Sequence, residues 1–186
     1  MGNTNAHQFI VLEGISGSGK TELGKLLAQH VAGHYYTTPP EAFRPSRKEI
    51  DEKAILEARF LFYLASVVQA SHEIGKILET QNVVCDKYIW STVCYHKALG
   101  LDVKIPEGLG YIKPDHTFLV YCDNDVRLKR LRASRGPITN KVKYDLRQQM
   151  EQRCLVELRG YIQREIDNTR DGPQHAVDQL LAAIRR

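Results

Sequence analysis

One short segment, GISGSGKT at residues 14–21, combines glycines, a lysine and a threonine at spacings that suit phosphate binding. It matches the pattern G-x-x-x-x-G-K-[ST], in which glycines let the backbone turn its N–H groups inward around a β-phosphate. Lys20 would neutralise the β- and γ-oxygens, and the hydroxyl of Thr21 would ligate Mg²⁺. We therefore predict that this loop binds ATP or GTP with Mg²⁺. The predicted cofactor-binding residues of the loop are Gly14, Ser16, Gly17, Ser18, Gly19, Lys20 and Thr21.

A second candidate group follows the apolar run NVVC, where Asp86 and Lys87 are adjacent. A carboxylate at the end of a strand can hold Mg²⁺ or its waters, and a cation beside it can meet an anionic substrate. A surface ion pair is the alternative, and the phosphate loop argues against it. We predict that Asp86 shares the metal with Thr21 and that Lys20, Asp86 and Lys87 are catalytic.

A third group is the basic segment RLKRLRASR at residues 127–135, which carries five cations in nine residues. A solvated helix face would explain it, but arginines placed over a transferring phosphoryl group stabilise its charge. Gly136 and Pro137 then shape a short closing loop. We predict a lid at about 132–143, with Arg132 and Arg135 as catalytic residues that reach the phosphate.

Apolar runs that alternate with helical patterns must position these groups. The runs predicted as strands are QFIVLE, HYYTT, NVVCD, HTFLVYCD and, more weakly, REIDN. The helical patterns cover residues 21–31, 54–79, 125–134, 143–163 and the segment after Pro173. This alternation predicts an α/β fold in three α/β/α layers with a five-stranded parallel sheet, formed by residues 1–186 as a single domain. Ligands of such folds lie at the carboxyl ends of the strands.

Composition narrows the class of protein. The 186 residues carry a formal charge of only +4, which suits a small anionic substrate at least as well as nucleic acid. Nucleic-acid binding has little support, because the cations gather at the proposed lid and not along a groove. The four cysteines are widely spaced, which favours reduced core thiols over disulfides or a metal site. The first residues are polar, and no apolar run reaches the roughly 18 residues of a membrane span. We predict a cytoplasmic protein without a membrane partner.

The segment D-K-Y-x-x-S-T-x-x-Y, which starts at Asp86, resembles the Asp-Arg segment of thymidylate kinases. The helix ARFLFYLASVVQ, the stretch PDHTFLVYCDNDVRLKRLRASRG and the stretch EIDNTRDGPQHAVDQLLAAI resemble further segments of that family, so the similarity covers nearly the whole chain. The resemblance implies a P-loop kinase fold with a short lid, ATP and Mg²⁺ as cofactors and a small-molecule phosphate acceptor. It also implies a possible homodimer through the long helix.

The resemblance assigns roles to individual residues. Tyr95 would lie against the acceptor sugar, Thr92 would meet its base, and Tyr63 falls where the family stacks a ring on thymine. Arg130 stands where a family arginine lies near the adenine. Lys87 takes the place of an arginine that contacts the transferring phosphates.

The departures from the family pattern gather on the acceptor side. Ser16 stands where the family has an acidic residue, Thr38 replaces an arginine that grips the acceptor phosphate, and Val67 replaces another arginine. A bidentate Arg–phosphate contact is worth roughly 1.5–3 kcal/mol, so other cations must take over if a nucleotide is bound. The candidates are Arg44, Arg47, Lys48 and Arg59, of which we assign Arg44 to the substrate-binding residues.

The working reaction is transfer of the γ-phosphate of ATP to a nucleoside monophosphate, with dTMP giving dTDP. The missing arginines keep a second hypothesis open, a kinase that phosphorylates a hydroxyl of a deoxynucleoside or another small metabolite. A third hypothesis is a P-loop ATPase switch that acts through a protein partner.

Overall fold

A central sheet of five parallel strands carries the candidate residues at one edge. The computed structural model describes residues 6–135, 141–170 and 172–185. The strands are β1 (Phe9–Glu13), β2 (Gly33–Thr37), β3 (Asn82–Asp86), β4 (His116–Tyr121) and β5 (Glu165–Asp167). Their order in the sheet is β2-β3-β1-β4-β5, and each described pair of neighbours runs parallel.

In the part of the chain that the structure describes, seven α-helices connect and cover the strands. They are α1 (Lys20–His30), α2 (Arg44–Lys53), α3 (Leu56–Ile77), α4 (Ile89–Ala98), α5 (Asn124–Arg135), α6 (Lys141–Tyr161) and α7 (Gln174–Ile184). A short 3₁₀ helix at Glu41–Phe43 precedes α2. None of the helices within the described residues is long and apolar enough to cross a membrane.

The strand β1 shows why the fold has three layers, because all five of its residues are buried. Phe9 and Val11 belong to a core that includes residues of α3 and α4. Ile10 and Leu12 belong to a second core with residues of α1 and α7. Successive side chains of a strand point to opposite faces, so a continuous apolar run requires cover on both. The predicted α/β fold with a five-stranded parallel sheet is confirmed.

Helices α2 and α4 are not indicated by hydrophobic periodicity in the sequence, for opposite reasons. Helix α2 buries none of its ten residues, so it has no apolar stripe to recognise. Helix α4 buries seven of its ten residues, so the polar face that makes a periodic pattern visible is missing. Both helices border the candidate site.

The sheet register brings the predicted chemistry together. Leu12 of β1 pairs with Asp86 at the end of β3, which places the phosphate loop and this aspartate side by side. The carboxyl ends of parallel strands share one edge of a sheet, and ligands of such folds bind there.

Candidate active site

The phosphate loop between β1 and α1 depends on its glycines. Gly14 and Gly19 have φ angles of 147° and 93°. A Cβ atom on Gly14 would lie 2.3 Å from the carbonyl oxygen of Val120, and one on Gly19 would lie 2.2 Å from Nδ2 of Asn168. Neither distance is compatible with a side chain. The loop therefore needs glycine at both positions, as the sequence pattern predicts.

Lys20 folds back into the loop. Its Nζ donates to the carbonyl oxygen of Ile15 at 2.8 Å and to Oγ of Ser18 at 3.3 Å. Burial lowers the pKa of Lys20 to about 8, while the charge of Asp86 opposes that change. The ammonium group is thus a desolvated cation inside the loop, where its attraction to phosphate oxygens is stronger than in water.

Thr21 and Asp86 form the group that fits a metal ion. Oγ1 of Thr21 donates to Oδ2 of Asp86 at 2.7 Å, and the hydroxyl of Tyr35 donates to the same oxygen at 3.2 Å. The other oxygen, Oδ1, is buried and has no hydrogen-bond partner among the described residues. A hard cation such as Mg²⁺ takes carboxylate and hydroxyl oxygens, so this donor set fits it. An acceptor left free in this way is what such a site requires.

A buried glutamate at the end of β1 fixes the start of α4. Glu13 accepts hydrogen bonds from the backbone amides of Tyr88, Trp90 and Ser91 at 3.1–3.2 Å, and also from the hydroxyl of Ser91. Burial raises the pKa of Glu13, although these hydrogen bonds act against it. Sequence reasoning missed this residue. The available signal was an acidic residue that ends an apolar strand directly before the phosphate loop.

A second buried glutamate, Glu151 of α6, contacts the phosphate loop from the other side. Its Oε2 accepts from the backbone N–H of Ser16 and from the hydroxyl of Tyr95, both at 2.9 Å. Burial alone would raise the pKa of Glu151, but the hydrogen bonds from Ser16 and Tyr95 outweigh burial and lower it. Sequence reasoning missed Glu151 as well, because 135 residues separate it from Ser16.

A cavity of about 350 Å³ opens beside the phosphate loop. Ser16 belongs to its wall, and so do the predicted residues Lys87, Tyr63, Thr92 and Tyr95. The structure therefore brings most of the predicted acceptor-side residues into one space. The charged residues of the wall are Lys87, Arg47, Arg59, Arg147 and Asp51.

The described cations of the cavity wall do not include Arg44, which the sequence analysis assigned to the acceptor. Arg44 lies outside the cavity wall, where it pairs with Glu41 at 2.6 Å and donates to the carbonyl oxygen of Pro39 at 3.4 Å. Nε of Arg47 instead donates to the hydroxyl of Tyr63 at 3.2 Å, which in turn donates to Asp51 at 2.8 Å. Arg44 is not among the described residues of the cavity wall, and its assignment to the acceptor stays a prediction.

Val67 of α3, which stands where the family has an arginine, lies in a part of the helix that cannot accommodate a charged side chain. Its side chain is 1% exposed and belongs to the core with Phe9 and Ile74. A guanidinium group there would be desolvated without a partner, at a cost of several kcal/mol. This position of the helix serves the core and is not part of the cavity wall.

The basic segment has several roles. Arg127 is buried and donates to Oδ1 of Asn124, to Gln148 and to the carbonyl oxygen of Ser16. Arg130 donates to the carbonyl oxygen of Asn168 at 2.9 Å, beside the phosphate loop. Arg132 is exposed near the end of α5. The side chain of Arg135 and residues 136–140 lie outside the described part of the chain, so the lid stays a prediction.

The fold, the phosphate loop and the Thr21–Asp86 group define a P-loop kinase. Comparison with known proteins narrows the class. The family model for thymidylate kinase matches residues 12–170. A probable thymidylate kinase of Methanocaldococcus jannaschii is 30% identical over 137 residues, which cover 68% of this chain and 71% of that protein. A probable thymidylate kinase of Metallosphaera sedula is 32% identical over 168 residues, which cover 87% of this chain and 84% of that protein.

A solved structure agrees at the level of the fold. The thymidylate kinase of Candida albicans superposes with a TM-score of 0.74 at 20% identity, over 96% of this chain and 91% of that one. The chain belongs to the thymidylate kinase family, and it is an ATP-dependent kinase.

Proposed function

We propose that the enzyme transfers the γ-phosphate of ATP to dTMP, giving dTDP and ADP. One observation carries this proposal. Ser16 belongs both to the phosphate loop and to the wall of a cavity that carries four cations. An anionic acceptor bound in that cavity would lie directly beside the phosphates held by the loop. The name shared by the family and its relatives supports thymidylate as the acceptor.

The donor side uses the loop and the end of β3. The loop amides and Lys20 bind the β- and γ-phosphates, and Lys20 exchanges its bonds to Ile15 and Ser18 for phosphate oxygens. Thr21 and Asp86 would hold the metal, with Oδ1 of Asp86, which has no hydrogen-bond partner among the described residues, as the free ligand atom. Mg²⁺, when bound, neutralises negative charge on the β- and γ-oxygens.

The acceptor phosphate lies at the loop end of the cavity, beside Lys87 and Arg147. Nε of Arg147 is 3.9 Å from Oε1 of Glu151, whose other oxygen binds the backbone of Ser16. This contact places Arg147 next to the phosphate loop. Arg47, which is bonded to the hydroxyl of Tyr63, belongs to the part of the wall that would surround the base.

The charges favour a phosphate acceptor over a hydroxyl acceptor. A phosphate oxygen is already ionised at neutral pH and attacks without a general base, whereas a hydroxyl needs a carboxylate to accept its proton. Asp51 is the one carboxylate in the cavity wall, as far as the described residues go, and it accepts from Tyr63. The described cavity wall thus has four cations and one carboxylate, which is already hydrogen-bonded to Tyr63, and this excess of positive charge suits a phosphate acceptor.

The first experiment is an acceptor screen. The protein is incubated with Mg·ATP and a panel of deoxynucleosides and their 5′-monophosphates, and added phosphate is read by mass spectrometry. We expect dTDP from dTMP and no product from thymidine. Phosphorylation of thymidine without use of dTMP would refute the proposal and support a hydroxyl kinase. ATP hydrolysis that needs a protein partner and no small acceptor would support a switch.

A pair of variants tests the placement of the phosphate. Arg147→Gln removes the cation beside Glu151, and we expect the KM for dTMP to rise by about 10- to 100-fold, the range of one charge-assisted hydrogen bond. Arg153→Gln changes an exposed arginine of the same helix outside the cavity wall and serves as the control. Equal KM values in the two variants would remove Arg147 from the acceptor site.

A further inference from the structure

His96 of α4 is a buried titratable residue to which none of the motifs gives a role. Its side chain belongs to the cavity wall, and the residue is 3% exposed. The ring packs edge-on against Phe60 with centroids 5.3 Å apart, and it lies tilted against Tyr63 at 6.0 Å. Thr92 precedes it by one helical turn on the face of α4 that borders the cavity.

The hydrogen bond of Nδ1 determines what the other ring nitrogen can do. Nδ1 lies 2.7 Å from the carbonyl oxygen of Thr92, and because a carbonyl only accepts, Nδ1 must carry the hydrogen. Burial lowers the pKa of His96, and the charge of Arg59 lowers it further. The ring is therefore neutral at neutral pH, and Nε2 carries a lone pair.

This Nε2 is buried and has no hydrogen-bond partner among the described residues. A buried acceptor without a partner costs free energy and calls for an explanation. His96 belongs to the cavity wall, so a ligand in the cavity with an N–H group directed at Nε2 would complete the bond.

We propose that Nε2 of His96 accepts a hydrogen bond from the N3–H of the acceptor base and thereby selects thymine or uracil over cytosine. This inference rests on the proposed function. In thymine and uracil, N3 carries a hydrogen between two carbonyl groups. In cytosine, N3 is an unprotonated acceptor, so two lone pairs would face each other in a dry site.

The neighbours of His96 match the rest of such a base. The carbonyl groups that flank N3–H need donors, and the cavity wall includes Thr92 and Arg59, whose side chains carry a hydroxyl and a guanidinium group. The ring of Tyr63 offers an apolar surface for the plane of the base. Cytosine, with an amino group in place of one carbonyl, would set a donor against these donors.

Two substitutions separate the two ring nitrogens. His96→Asn keeps a donor near the carbonyl oxygen of Thr92 and removes the acceptor at Nε2, whereas His96→Gln places an amide oxygen near the position of Nε2. We expect wild-type enzyme to prefer dTMP to dCMP in kcat/KM. In His96→Asn that preference should fall by about 10- to 100-fold, through loss with dTMP, and His96→Gln should restore part of it. An unchanged preference in a folded His96→Asn variant would overturn the inference.

A spectroscopic measurement on the wild-type enzyme does not depend on any variant folding. Long-range ¹H–¹⁵N spectra report the tautomer of His96 and the hydrogen bonding of its Nε2. We expect the Nε2 resonance to shift when dTMP binds and to stay in place with N3-methyl-dTMP, which lacks the hydrogen. A resonance that does not move with bound dTMP overturns the inference. Failure of the proposed function looks different, because wild-type enzyme would then neither bind nor phosphorylate dTMP.

Discussion

The buried lysine of the phosphate loop should reduce the stability of the unliganded enzyme while serving its chemistry. Lys20 is 4% exposed, and burial lowers its pKa from 10.5 to about 8. The difference of about 2.5 corresponds to about 3 kcal/mol, at 1.36 kcal/mol per pKa unit. At neutral pH the folded state bears this cost, because the ammonium group is charged in both states.

We expect Lys20→Met to stabilise the unliganded protein at pH 7 and to abolish phosphoryl transfer. Methionine fills similar space without a charge, but it leaves the carbonyl oxygen of Ile15 without its donor, which costs about 1 kcal/mol. The net gain is therefore about 2 kcal/mol, or roughly 4–8 °C in Tm for a chain of this size. Thermal unfolding followed by circular dichroism measures the gain, and Lys129→Met, at an exposed lysine, is the matched control.

The pH dependence gives a second test with a defined sign. The pKa of Lys20 is lower in the folded state, so the unfolded state binds more protons between about pH 8 and pH 10.5. The free energy of unfolding of the wild type must rise relative to that of Lys20→Met across this range. The stabilisation by Lys20→Met should therefore be full below pH 8, vanish near about pH 9.5 and reverse by about 1 kcal/mol near pH 10.5, because the lost bond to Ile15 remains. The reasoning would be refuted if Lys20→Met were no more stable than wild type at pH 7. It would also be refuted if the difference in the free energy of unfolding between the two proteins did not change with pH.

Two further substitutions test the scaffold of the site. Glu13→Ala removes the acceptor of three backbone amides, of which those of Tyr88 and Ser91 are buried, and should lower the free energy of unfolding in urea by about 3 kcal/mol or more. A loss below about 1 kcal/mol would mean that water replaces the carboxylate. Gly19→Ala forces a Cβ against Asn168 and should abolish ATP binding, as measured by calorimetry. The control is Gly172→Ala, which is also at positive φ but has open space around it. It should lower the free energy of unfolding by only about 1 kcal/mol and leave the ATP affinity unchanged. Equal effects of the two alanines would contradict the steric argument.

The parts of the site that the sequence predicts are those made by neighbours in the chain. The phosphate loop is eight consecutive residues, and each glycine has a local backbone reason. Asp86 follows directly from an apolar strand, and the parallel arrangement then fixes its place beside the loop. Strands β1, β3 and β4 have buried apolar runs that mark them clearly, whereas β5 buries only Ile166 and is indicated more weakly by the sequence.

The acceptor side resists such prediction because its groups come from distant elements. Arg47 lies on a helix without buried residues, and Arg147 lies on a helix whose contact with the loop depends on tertiary packing. Arg44 and Arg47 are three residues apart and equal in chemistry, yet only Arg47 reaches the cavity wall. The direction of a side chain on an exposed helix follows from packing against α3, and composition does not record it.

Ser16 shows why the donor and acceptor halves form one physical unit. Its backbone N–H donates to Glu151, its carbonyl oxygen accepts from Arg127, and its hydroxyl lies 3.5 Å from the hydroxyl of Tyr95. Glu151 also accepts from Tyr95, so one carboxylate fixes both the phosphate loop and a wall of the cavity. Glu13 does the same from the other side, since it ends β1 and holds the start of α4. A substitution in the acceptor cavity that disturbs these bonds should therefore also disturb the phosphate loop. We expect substitutions that compensate for such a change to lie in α4 and α6 and not in the loop.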